Sequence, residues 1–262
     1  MSTEWTIRLL LRSALAGYAL AFLALLLRRR KPGLAVFAAA WLVNAALILA
    51  NWLAAGNPPL GNMYHVLTFL ACCFFPLYVL LAFRDRLLWT AAYFAFASAV
   101  PLLGTLFMDA DAFWRRMPAL QSHWFVPHVT TYMISYALAA VAFVLAAAAQ
   151  GRRLLLGRPP ANDHDAAVYR ILVLAFPLMT FGMLSGALWA EQAWGVYWSW
   201  DVKETWSLIT WMLYLVYFHC RRSAPHRRFA TPAHVLAFLA LITTFVLVNI
   251  LPKLASALHS YS

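Results

Sequence analysis

Two kinds of residue in this sequence can act together chemically: histidines at the ends of apolar runs, and one dense patch of tryptophan. The stretch 194–211, WGVYWSWDVKETWSLITW, crowds Trp194, Tyr197, Trp198, Trp200 and Trp206 into one loop and one helix start. An ordinary interfacial belt scatters its aromatics over many helix ends. This density instead suits a flat platform for a large planar ligand, held by stacking and apolar contact. Asp201 followed by Glu204 has the form of a capping box, in which both side chains satisfy free backbone N–H groups at a helix start. That structural role is expected of Asp201 whatever else it does.

Histidine placement is the second signal. His128 follows Pro127 at the start of the fifth apolar run, and His259 lies just beyond the eighth. Two neutral imidazoles can ligate one haem iron axially. Either alone reads as a solvated interfacial side chain; the pair beside an aromatic platform reads as a haem site. His219 is different. It lies about 15 residues, roughly 22 Å, along the seventh run at 1.5 Å per residue, so it cannot share a metal with the other two. A separate inward site and a snorkelling helix-edge histidine both remain open for it. His65, in GNMYHVLTF, reads first as an interfacial histidine, with a spare ligand or supporting donor as the alternative. His123 is a weaker alternative to His128. His164, His226 and His234 fall in or beside loops and are expected to be solvated.

The elements that must position these residues are membrane spans. The 262-residue chain is 64% hydrophobic and 11% charged, too little charge to cover a soluble surface. A span needs about 20 mostly apolar residues. About eight such segments are expected, near 7–27, 33–54, 62–83, 87–107, 127–149, 168–190, 204–220 and 234–253. The fold class is therefore all-α, a polytopic helix bundle. The longest connections are expected near 108–126 and 150–167.

Orientation follows from the basic residues. One set of alternate loops holds 13 of them: Arg28, Arg29, Arg30, Lys31, Arg84, Arg86, Arg152, Arg153, Arg158, Arg221, Arg222, Arg227 and Arg228. The opposite side holds 6: Arg8, Arg12, Arg115, Arg116, Lys203 and Lys253. The first set is read as cytoplasmic, with both termini and the Trp-rich loop outside. Clusters between apolar runs also account for the +11 charge, so nucleic acid is excluded as a partner. Cys72, Cys73 and Cys220 form no C-x-x-C pair and sit in or beside apolar runs, which argues against thiol–disulfide chemistry. The first apolar stretch is followed, not preceded, by its strongest basic cluster. That is not the pattern of a cleaved signal peptide.

At this point the sequence resembles the CcsA/ResC family of System II cytochrome c biogenesis. The resemblance rests on WGVYWSWDVKETWSLITW, on LQSHWFVPHV at 120–129, on YLVYFH ending at His219, and on the terminal ALHSY. The order of motifs and the eight-helix plan agree, so the resemblance covers nearly the whole chain, read as one transmembrane cytochrome c assembly domain over 1–262. It implies that His128 and His259 are external haem ligands, that His219 is a transmembrane haem ligand, and that 194–201 is the haem-handling WWD segment. Two positions depart: Val202 stands where Pro is usual, and His65 where Glu is expected.

The resemblance further implies a subunit of a holocytochrome c synthase, with haem b as its cargo. Haem would pass from an inner site to the outer one and be presented to the C-x-x-C-H thiols of apocytochrome c. A CcsB/ResB-type membrane partner is expected to complete the complex and to supply the second inner ligand. Arg115, Arg116 and Lys203 are outer-face candidates for the haem propionates. The setting would be lipid: a bacterial inner membrane, or a thylakoid membrane in a plastid. The nearest rival is a System I haem handler of the CcmC or CcmF kind, against which the KETW continuation and the LHSY tail argue. A b-type electron-transfer cytochrome would want His pairs deep in facing helices. A solute transporter would show broken helices in repeated halves.

Overall fold

The computed structural model describes residues 3–108, 117–157 and 162–247, and every regular element among them is helical. The chain divides into two compact units, 1–117 and 118–262.

The first unit holds α1 (Thr3–Leu26), α2 (Arg30–Ala55), α3 (Met63–Arg84) and α4 (Ala91–Thr105), with a short 3-10 turn leading into α4. α1 packs on α2 and α4, and α3 packs on α2 and α4, closing a ring of four helices. Small residues allow the close approaches: a Cβ on Gly17 would stand 2.8 Å from the Ala40 Cβ. The interior carries an aromatic cluster built on Phe37, whose ring meets Tyr18, Phe75 and Tyr78. A buried amide crosses it, the Asn44 Nδ2 donating to the Tyr18 hydroxyl at 3.2 Å. The α1–α2 turn exposes Arg28, Arg29, Arg30 and Lys31, in keeping with a polar loop between two spans.

The second unit holds α5 (Phe125–Leu156), α6 (His164–Trp194), α7 (Val202–Arg222) and α8 (Ala230–Ile242), with a π-helical turn at Thr243–Leu247. It too forms a ring, with α5 against α6 and α8 and α7 against α6 and α8. α5 and α6 have 32 and 31 residues. At 1.5 Å per residue each reaches roughly 45 Å or more, past a hydrocarbon core of about 30 Å. The connection between them is accordingly shorter than the sequence suggests.

Seven helical stretches among the described residues are long and apolar enough to cross a membrane. They match seven of the eight expected segments. α7 is the eighth; it has the length, 21 residues, but carries Lys203 and Glu204 at one end and Arg221 and Arg222 at the other. Its buried stripe is polar-aromatic: Thr210, Tyr214, Tyr217 and Cys220, spaced to share one face. Trp211 fixes α7 on α6, its indole N–H donating to Thr180 Oγ1 at 2.9 Å and its ring stacking on Phe176. The protein is a multi-pass membrane protein of helical class.

Three histidines depart from expectation. His65, read as interfacial, is fully buried in the first turn of α3, its ring edge-on to Tyr64. His234, expected to be solvated, is fully buried on α8 against Phe143, Tyr214 and Tyr217. His164 is buried as well, its Nδ1 2.9 Å from the Asn162 carbonyl. All three lie in or next to the first turn of a helix, where sequence cannot tell an inward-facing side chain from a solvated one.

Candidate functional site

The Trp-rich segment begins where α6 stops. Trp194 is the last residue of α6, and Gly195 takes a left-handed conformation with φ 77°, its N–H bonding the Glu191 carbonyl. Such a C-terminal stop is what glycine allows without a steric penalty. The chain then runs irregularly to Asp201, which caps α7. The capping box expected from sequence is present: Asp201 Oδ1 accepts the Glu204 N–H at 2.8 Å, and Glu204 Oε2 accepts the Asp201 N–H at 3.3 Å. Glu204 does more than close the box. The same oxygen accepts the Ser199 N–H at 2.7 Å and its hydroxyl at 3.2 Å, so one carboxylate ties down 199–201.

Between those anchored residues stands Trp200, with φ 59° and 67% of its surface exposed. A bulky residue in the left-handed region is strained by about 1–3 kcal/mol and persists only where its surroundings hold it. Here the Thr205 hydroxyl accompanies the carboxylate, donating to the Trp200 carbonyl at 3.2 Å. Local hydrogen bonding therefore holds a large apolar ring outward. Tyr197 is also exposed, while Trp194, Trp198 and Trp206 are half-buried. Trp198 and Trp200 meet edge to face, with centroids 5.9 Å apart and planes at 83°. This pair makes a corner, not the single flat face expected from sequence.

His128 lies in the first turn of α5, its backbone N–H on the Trp124 carbonyl. Its Nδ1 is 2.8 Å from the Gly182 carbonyl of α6. That oxygen can only accept, so Nδ1 carries a proton, and in the neutral ring Nε2 then carries the lone pair. The ring stacks on Trp189, with centroids 5.4 Å apart and planes at 27°, and meets Tyr132 edge-on at 5.0 Å. Trp189 is 3% exposed and is held in turn, its indole N–H donating to the Ala119 carbonyl at 2.7 Å. It also contacts Trp194, centroid to centroid at 4.9 Å. One line of rings, His128–Trp189–Trp194, therefore joins the histidine to the Trp-rich segment. The loop ahead of α5 is tied to the same end of α6, Ser122 Oγ donating to Gln192 Oε1 at 2.6 Å.

The structure thus brings His128 together with Trp194. His219 is not part of this group. It sits in the last turn of α7, 17 residues from Val202 and so roughly 25 Å along the helix. It is exposed, with the His226 ring 6.1 Å away. His123 is exposed ahead of α5. His259, Arg115, Arg116 and Lys253 lie outside the described residues. Among the described residues no group of three or more His, Cys, Asp or Glu side chains forms a metal-ion site. Cys72, Cys73 and Cys220 are free thiols, Cys73 and Cys220 buried.

Sequence reasoning missed Trp189, Gly182 and Tyr132. Trp189 had a readable signal, since it stands at the end of the sixth expected segment, five residues ahead of Trp194. The Gly182 carbonyl had none, because a backbone acceptor carries no residue type.

An imidazole held through its Nδ1–H, stacked on one indole and edge-on to a tyrosine at the end of a membrane helix, is suited in its neutral form to ligate the iron of a planar, apolar macrocycle. The family model described as cytochrome C assembly protein matches residues 60–255. The chain belongs to this family. Its relatives named cytochrome c biogenesis protein CcsA include one from Chlamydomonas reinhardtii, 36% identical over 84% of this chain and 65% of its own length. One from Synechococcus elongatus is 33% identical over 87% of this chain and 86% of its own length. One from Porphyra purpurea is 34% identical over 84% of each. The CcsA resemblance read from the motifs is therefore borne out, and with it a role in cytochrome c biogenesis. Among solved structures, a cytochrome c haem lyase CcmF shares the fold, with a TM-score of 0.69 and 22% identity over 94% of this chain. The chain spans 47% of that protein and 65% of the Chlamydomonas CcsA.

Proposed function

We propose that this CcsA-family chain is the haem-presenting membrane subunit of a System II cytochrome c synthase. In this reading it holds haem b on the outer face of the membrane between His128 and His259. Trp194, Tyr197, Trp198, Trp200 and Trp206 contact the macrocycle, and Asp201 holds their loop. His219 belongs to a separate inner site from which the outer one is filled, and a CcsB/ResB-type partner supplies the second inner ligand. In this reading Lys203, with Arg115 and Arg116, faces the propionates. Apocytochrome c then adds its two thiols across the haem vinyl groups. Each addition forms one S–C bond and moves the thiol proton to the other vinyl carbon, so it needs no net oxidant. The chain's part is to hold and orient, not to donate a catalytic group. The membrane is a bacterial inner membrane, or a thylakoid membrane in a plastid, with both termini outside.

The observation that carries this reading is the Nδ1 bond of His128 to the Gly182 carbonyl beside the Trp-rich segment, which in the neutral ring makes Nε2 the ligand atom. A merely solvated interfacial histidine has no need of a carbonyl partner and a stacking plane. The test is haem content of the complex purified with its membrane partner. His128→Ala and His259→Ala should each lower it about tenfold or more, since loss of even a supporting partner at a metal site costs about 10–100-fold. Added imidazole should restore a large part by filling the vacant axial position. Normal haem content and spectra in both variants exclude the bis-histidine site. Alkaline phosphatase fused after Ser262 should be active and one fused after Arg158 inactive; the reverse would put the Trp-rich loop inside.

A further inference from the structure

α6 presents the same gap to α5 twice. Gly182 and Gly186 stand four residues apart, one turn apart on one face of the helix. A Cβ on Gly182 would lie 3.0–3.2 Å from three ring carbons of Tyr132. A Cβ on Gly186 would lie 2.6 Å from His128 Cε1 and 2.7 Å from its Nδ1. His128 and Tyr132 are themselves four residues apart on α5. Two rings of one helix therefore sit in two glycine notches of the other. Glycine inside a helix costs about 1 kcal/mol relative to alanine. Neither glycine stands at a turn, so the space each leaves is what it contributes.

The two notches are not equal. At Gly182 a side chain would need Tyr132 to give by a few tenths of an ångström. At Gly186 the overlap is too deep for that, and the imidazole would have to leave its place. Moving the ring breaks its bond to the Gly182 carbonyl and its stack on Trp189.

We propose that Gly186 is a positioning residue for His128, completing with the Gly182 carbonyl and Trp189 a cradle on α6 that fixes the ring's location, tautomer and plane. The proposal rests on the reading of His128 as a haem ligand. The three parts follow helical spacing, four and then three residues on. Each constrains a different freedom: Gly186 the space, Gly182 the proton, Trp189 the ring plane. A carbonyl on the Nδ1–H makes the opposite nitrogen a better donor to iron, which lowers the iron's reduction potential.

The test uses the complex with its membrane partner and three variants: Gly186→Ala, His128→Ala and the double variant. Haem content, the reduction potential of the outer haem and the response to imidazole are measured for each. Gly186→Ala should lower outer haem about tenfold, as loss of support around a metal ligand does, and shift the potential of the remainder upward. Free imidazole is not tethered to α5 and can settle beside an alanine. In the His128→Ala background with imidazole, adding Gly186→Ala should therefore change haem content by less than about twofold, since Gly186 acts only through the lost ring. An equal drop in both backgrounds makes Gly186 a packing residue and overturns the proposal. So does a Gly186→Ala protein with unchanged haem and potential. If His128→Ala alone keeps its haem, the ligand reading fails, and the positioning role fails with it.

Discussion

His128 and His219, at opposite ends of the second helical unit, are held in opposite ways. At the end where α5 begins, the His128 ring is held on three sides: a carbonyl on Nδ1, an indole plane against its face, and Tyr132 on its edge. At the end where α7 stops, His219 is exposed, and among the described residues no hydrogen bond holds its ring. The nearby Arg221 and Arg227 instead both pair with Asp165 on α6. The contrast says which of the two rings the chain holds in place by itself. A preorganised ligand has lost its alternative positions before haem arrives. His219 is not held in this way, and in the proposed reading it would need a ligand from the membrane partner to complete an inner site.

Changes at the two ends should therefore differ in size. At the organised end, Asp201→Ala removes the cap of α7 and releases one partner of Glu204. It should destabilise the protein by about 1 kcal/mol, a fall of roughly 2–4 °C in Tm for a chain of this size, and weaken haem retention with it. Thermal unfolding of the detergent-solubilised protein and its haem content are the readouts. Unchanged haem content despite that drop in Tm would mean that the loop need not be ordered to work. At the loose end, Asp165→Asn removes the partner of Arg221 and Arg227. Asp165 is about half exposed, with 47% side-chain accessibility, so the expected change is below about 1 kcal/mol. Outer haem should not change. A large loss there would show that the two ends are coupled through α6.

Most of the fold was legible because lipid imposes a strong rule: each span must be a helix that satisfies its own backbone. Apolar runs therefore located seven spans, and the polar ends of α7 explain why it is less clearly apolar than the rest. Asp201 and Glu204 were legible as a capping box because the motif is local. The surroundings of His128 were not. They depend on α6 lying against α5, on a carbonyl with no residue-type signature, and on a glycine whose value is the space beside it. His65 and His234 were misread for a related reason. A histidine at a helix start faces in or out according to the helix rotation, and weakly amphipathic membrane helices leave that rotation unstated in sequence.

The most direct measurement is a set of reduced-minus-oxidised spectra of the assembled complex carrying His128→Ala or His219→Ala, each with and without imidazole. If His128 belongs to an outer site filled from an inner one, His128→Ala empties only the outer site, keeps the inner haem, and regains the outer signal with imidazole. His219→Ala then lowers both signals, because the outer site is filled through it. A His219→Ala complex with normal haem and normal cytochrome c maturation would leave His219 a helix-edge histidine and remove the two-site path. A His128→Ala complex with an unchanged spectrum would contradict the account at its centre.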